Sequence, residues 1–136
     1  MALEVRGETS SINDYMTEQV MNIVEGISKG FDVTYEVSQM GAAVDFTNDK
    51  ECSDIIENVA KTVPSVNKII PDGNFGGSED YSVLGRRVQA NGGKAAFFIC
   101  GADRAAGHHQ GTFDIDENAL QTAFDMYKGI VEKVNK

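Results

Sequence analysis

The sequence predicts an α/β fold, and three observations carry that expectation. Residues 3–8 and 31–38 alternate apolar and polar side chains, the period of a half-buried strand, and they bracket a stretch with helical apolar spacing. Ala95-Ala96-Phe97-Phe98-Ile99-Cys100 is apolar without alternation. That is the pattern of a central strand covered on both faces, as in a parallel sheet. Helical stripes flank it on either side in the chain.

The first strand, Leu3–Glu8, places Leu3 and Val5 on one face and Glu4, Arg6 and Glu8 on the other. A helix follows, with Ser10 or Ser11 to cap it and Asp14 in its first turn. Ile12, Met16, Val20, Ile23, Val24 and Ile27 form its apolar stripe, and Gly30 stands where a terminating glycine belongs. Phe31, Val33, Tyr35 and Val37 then line the second strand. This β-α-β unit has too few strands to stand alone, so it is expected to pair with more sheet.

Residues 41–48 are rich in small and turn-forming types and read as a linker. The expected division is therefore a first part at 1–45 and a second at 46–136. In the second part, Thr47 or Asn48 caps a helix built on Cys52, Ile55, Ile56, Val59, Ala60 and Val63, and Pro64 stops it. Val66–Ile70 reads as a short strand and Pro71-Asp72-Gly73-Asn74 as a turn. Ser78 caps a third helix with Val83, Leu84 and Val88 inward, closed by Asn91-Gly92-Gly93. The apolar strand feeds a long loop, Gly101–Gly111, at its carboxyl end, where open α/β sheets place their ligands. The last helix starts at Asp116, with Ile115 and Leu120 as a hydrophobic staple. Its core face is Leu120, Ala123, Phe124, Tyr127, Ile130, Val131 and Val134.

With 136 residues and a formal net charge of −9, the chain has the size of one domain or two small ones and lacks the basic face that a nucleic acid or an anionic membrane requires. No apolar run approaches a membrane span and no secretory leader opens the sequence, so a cytoplasmic protein is expected. Cys52 and Cys100 are far apart and read as core thiols of a reducing compartment.

Chemistry concentrates between Gly76 and Leu120. Both histidines, His108 and His109, stand side by side in the loop. Adjacent residues of an extended segment point in opposite directions, so at most one of them binds a given ion. A loop histidine is more often a solvated surface residue than a ligand. Asp116 is accounted for as a helix cap, and Asp80 and Glu117 as first-turn partners of a helix dipole. Glu79 has a fuller claim on function, because the glycine pair before it lets backbone approach a ligand.

Gly77-Ser78-Glu79-Asp80-Tyr81-Ser82, then the apolar strand, then Ala106-Gly107-His108-His109 and Phe113-Asp114-Ile115-Asp116-Glu117-Asn118-Ala119-Leu120, resemble the C-terminal signature of the zinc-dependent aminoacylase and carboxypeptidase superfamily. Within it the likeness is to the amidohydrolases that cleave p-aminobenzoyl-glutamate and related N-acyl amino acids. Leu3–Ser10 with its helix resembles part of that family's inserted lid, or dimerisation, domain. The resemblance implies a partial lid β-α-β unit followed by the C-terminal α/β part of a zinc-peptidase-like catalytic domain, and a homodimer formed through the lid. It implies His109 as the last metal ligand, His108 beside the substrate, and Glu79 as an active-site carboxylate with a catalytic role. Arg6, on the lid strand, is implied to meet a substrate carboxylate, although pairing with Glu4 or Glu8 explains it as well. Gly111 stands where the family commonly has proline.

The implied cofactor is a divalent metal, zinc or manganese, that activates water and polarises the amide carbonyl. The implied substrate is a small N-acyl amino acid. The family's larger opening segment, with most metal ligands and the general base, has no match here, so the chain is expected to be inactive by itself. The competing expectation is a non-catalytic acidic α/β module that binds or dimerises.

Overall fold

The computed structural model describes residues 1–71 and 79–135. Residues 72–74 of the expected turn, the Gly76-Gly77 pair and the Ser78 cap lie outside the described residues. The regular elements described are four helices: α1 (Ser10–Phe31), α2 (Lys50–Ala60), α3 (Tyr81–Ala90) and α4 (Asn118–Val134). Among the described residues there is no sheet, only one isolated antiparallel bridge between Arg104 and Ile115. The expected α/β class, with its lid β-α-β unit and sheet-bearing catalytic part, is therefore corrected to a helical one.

The correction has a physical reason. A strand persists where its N–H and C=O groups find a ladder, and a period-2 pattern does not supply one. Residues 3–8, 33–37 and 66–70 form no ladder among the described residues. In the apolar run, side chains take the ladder's place. Asp49 N–H donates to the Ala95 carbonyl at 2.9 Å, and Ala95 N–H donates to Asp49 Oδ2 at 2.8 Å. Asn48 repeats the pattern two residues on. Its Nδ2 donates to the Phe97 carbonyl and its Oδ1 accepts Phe97 N–H, both at 2.8 Å.

The chain divides into two compact units: the described residues of Met1–Phe46 with Gly76–Arg87, and those of Thr47–Phe75 with Val88–Lys136. In the first unit α1 is capped by Thr9, not Ser10 or Ser11, and the Thr9 hydroxyl accepts Ile12 N–H at 3.3 Å. The helix passes through Gly30 and takes in Phe31, the residue expected to open the second strand. It ends where Asp32 adopts a left-handed conformation (φ 51°) and returns its N–H to the Ser28 carbonyl. A short polar side chain tolerates that region, so no glycine is needed.

Also in the first unit, Phe46 lies over Gly85 and meets Tyr81 edge-on, with ring centroids 5.4 Å apart at 88°. Only a glycine leaves room for that ring. Ser82 is buried beside it and accepts Val44 N–H at 3.2 Å. The buried side of α3 is thus Ser82 and Gly85, and the expected stripe of Val83, Leu84 and Val88 is exposed.

The second unit holds the larger core. Val59, Ala60, Val63 and Met126 are buried together, with Ile56, Val66, Phe98, Cys100 and Ile130 packed against them. Covering a side chain such as Val59 or Met126 contributes about 1.5–3 kcal/mol. The helices α2 and α4 meet there, and Gly129 lets them approach: a Cβ on it would come within 2.6 Å of Val59 Cγ1. Asp49 is the N-cap residue of α2, and the helix ends at Ala60, before a tight turn that leads to Pro64. The other helix, α4, starts two residues later than expected, at Asn118. Its inward side is Ala123, Met126 and Ile130, while Leu120, Phe124, Tyr127, Val131 and Val134 face out. The Ile115–Leu120 staple is not formed as a buried contact, since Leu120 is 61% exposed. No described helix is long and apolar enough to cross a membrane.

Candidate functional site

The loop that carries both histidines folds back on itself. Asp103–Ala105 runs against Asp114–Asp116, antiparallel, around the Arg104–Ile115 bridge. Ala105 N–H donates to the Asp114 carbonyl at 3.0 Å and Asp116 N–H to the Asp103 carbonyl at 2.9 Å. These bonds make a clip whose tip is residues 106–113. Gln110 closes the tip from within. Its side-chain Oε1 accepts Gly107 N–H and its backbone carbonyl accepts Phe113 N–H, both at 3.0 Å.

The two histidines have different settings on that tip. The His108 ring stacks on Phe113, with centroids 5.3 Å apart and planes 29° apart. His109 sits at φ 63°, in the left-handed region. A non-glycine residue there is strained by about 1–2 kcal/mol. Both rings are exposed. The clip thus separates one imidazole held against an aromatic ring from one presented outward, as the side-by-side argument required.

The nearby carboxylates are occupied locally. Asp114 Oδ1 accepts Ile115 N–H at 2.9 Å. Asp116 Oδ1 accepts Asn118 N–H at 3.0 Å and Asn118 Nδ2–H at 2.8 Å, so it tethers the start of α4 as a cap would. A surface depression below the tip is lined by Asp103, Arg104, Ala105, Asp114, Ile115 and Asp116. Among the described residues no three His, Cys, Asp or Glu side chains gather closely enough to hold a metal ion. A catalytic zinc takes three ligands from protein, so these residues do not make such a centre by themselves.

The other two residues singled out in the sequence belong to the first unit. Glu79 is exposed just ahead of α3, and its carbonyl accepts Ser82 N–H at 2.9 Å. Arg6 is paired with Glu4, Nη2 to Oε1 at 2.8 Å, with both side chains about 70% exposed or more. Burial raises the thiol pKa of Cys100, and burial first and then Asp49 raise that of Cys52. Both cysteines are free. They are unreactive core thiols rather than nucleophiles.

Sequence reasoning missed Gln110. Its signal is the spacing Gly107-x-x-Gln110, which lets a side chain reach back over one turn. It also read Asn48 only as a helix cap, which hid the bonds to Phe97.

The chain is 52% identical over 134 residues to a p-aminobenzoyl-glutamate hydrolase homolog of Haemophilus influenzae, a match that covers 98% of this chain and 32% of that protein. It is 32% identical over 126 residues to the indole-3-acetyl-aspartic acid hydrolase of Enterobacter agglomerans, covering 92% of this chain and 29% of that one. It is 31% identical over 126 residues to a p-aminobenzoyl-glutamate hydrolase chain of Escherichia coli strain K12, again covering 92% and 29%. The chain thus spans about a third of the length of the curated relatives it matches. No family model and no solved structure matches it. The resemblance drawn from the two motifs is borne out by these relatives.

Proposed function

We propose, from its similarity to p-aminobenzoyl-glutamate hydrolases and related amidohydrolases, that the protein takes part in hydrolysing the amide bond of N-acyl amino acids. The substrate class is small acyl-amino-acid conjugates with a free carboxylate, p-aminobenzoyl-glutamate among them. The observation that carries this reading is the 52% identity sustained over 134 residues.

His109 is the residue assigned to metal binding, as one ligand of a divalent ion, zinc or manganese. Its support is the clip that presents it outward while His108 is held on Phe113. A metal there supplies an activated water and a polarised carbonyl. The chain lacks the rest of the ligand set among its described residues, so the remaining ligands and the proton acceptor belong to polypeptide that corresponds to the other two-thirds of the relatives. His108 borders the substrate, Glu79 acts as an active-site carboxylate, and Arg6 takes the substrate carboxylate once it leaves Glu4. The assembled enzyme is a cytoplasmic homodimer.

The test is a graft in which this chain replaces the matching third of the Haemophilus relative. The reading expects release of p-aminobenzoate from p-aminobenzoyl-glutamate, loss of that activity on chelation, and its return with zinc or manganese. A folded graft without activity under any of these metals would sink it.

A further inference from the structure

We infer that the outward stripe of α4 is a docking surface for the amidohydrolase polypeptide that makes up the remaining two-thirds of the relatives' length. The inference rests on the similarity and not on the chemistry proposed above.

The stripe is Leu120, Phe124, Tyr127, Val131 and Val134, which recur at the spacing of a helix face built for burial. Each is between 56% and 61% exposed. The opposite side of the same helix already packs on α2 through Met126 and Ile130. A helix apolar on both sides belongs inside a larger body, and a contiguous exposed apolar patch marks an interface.

Size and length select the occupant. The stripe spans roughly 21 Å of helix and is about 10 Å wide, on the order of 200 Å². A stable contact between separate proteins covers about 800 Å² on each. A second copy meeting this stripe alone would fall well short. A covering layer within a larger fold needs no such minimum. The relatives supply that layer: the match takes in nearly all of this chain but 32% of the Haemophilus protein.

The experiment measures thiol alkylation of Val131→Cys and Phe124→Cys, located by mass spectrometry, in the 136-residue chain and in the graft. Lys128→Cys, on the exposed side of α4 away from the stripe, is the control. The inference expects fast labelling of all three in the chain alone. In the graft it expects the stripe positions to slow at least tenfold while position 128 keeps its rate. Equal stripe rates in the two proteins would overturn it. Slow stripe labelling in the chain alone would also overturn it, since a second copy or another part of this chain would then be the cover. Should the graft not fold, cysteines at the aligned positions of the intact Haemophilus relative decide: protection supports the inference and free labelling ends it. A protected but inactive graft removes the proposed chemistry and leaves the docking surface. An active graft with a reactive stripe does the reverse.

Discussion

Asp49 and Ala95 hold each other through two hydrogen bonds, at 2.9 and 2.8 Å, although 46 residues separate them. The Asp49 carboxylate also accepts Gln89 Nε2–H at 2.9 Å and lies 3.7 Å from Lys94 Nζ. One side chain thereby fastens the entry of α2 to the apolar run. Asp49→Ala should lower stability by stranding the Ala95 N–H, and Asn48→Ala should cost about 1 kcal/mol by losing two bonds to Phe97. Urea titration of each variant checks both.

The same contacts set an acid limit. The Ala95 N–H first, then Gln89 and Lys94, hold the Asp49 carboxyl below the ordinary value. A carboxylate whose folded pKa is depressed contributes stability that is present above its unfolded pKa, about 3.9, and is lost as pH falls through the folded value. Asp49→Asn should therefore be less stable than wild type at pH 7, and the gap should narrow below about pH 4. A gap that stays constant down to pH 2 would contradict this account of Asp49.

Helix approach at Gly129 gives a paired prediction. Gly129→Ala gains helix propensity of about 1 kcal/mol but drives a methyl into Val59, an overpacking cost of about 1–3 kcal/mol. It should be destabilising on balance. Gly26→Ala in α1 meets nothing within 4 Å and should stabilise by about 1 kcal/mol. Thermal unfolding of the two variants, measured side by side, should show shifts of opposite sign.

The sequence made the helices legible and the sheet not. Ile56, Val59, Val63, Met126 and Ile130 sit in the core because a 3.6-residue period survives whatever lies around it. Strands depend on partners, and Ala95–Cys100 found Asn48 and Asp49 instead. Where a helix has two apolar stripes, composition does not say which one is covered. On α4 the side with Met126 is inward, and the larger stripe through Phe124 is not. In the site, the histidine pair was legible as a pair with divided roles, because adjacent side chains diverge. The clip at Arg104–Ile115 and the Gln110 closure depend on pairings across the loop that no local pattern encodes.

Backbone strain at His109 predicts an order of stabilities. Glycine takes a φ of 63° without strain, while alanine does not. His109→Gly should be more stable than His109→Ala by about 1 kcal/mol. Equal stabilities would mean that the loop relaxes freely in solution.

The central claim is that His109 serves an amidohydrolase, and the most direct measurement is kcat/KM for p-aminobenzoyl-glutamate in the graft, with bound metal counted in the same samples. His109→Ala should lose at least a hundredfold in kcat/KM and most of its bound metal, while His108→Ala keeps its metal and loses less activity. A His109→Ala graft that keeps both its metal and its rate would contradict the assignment.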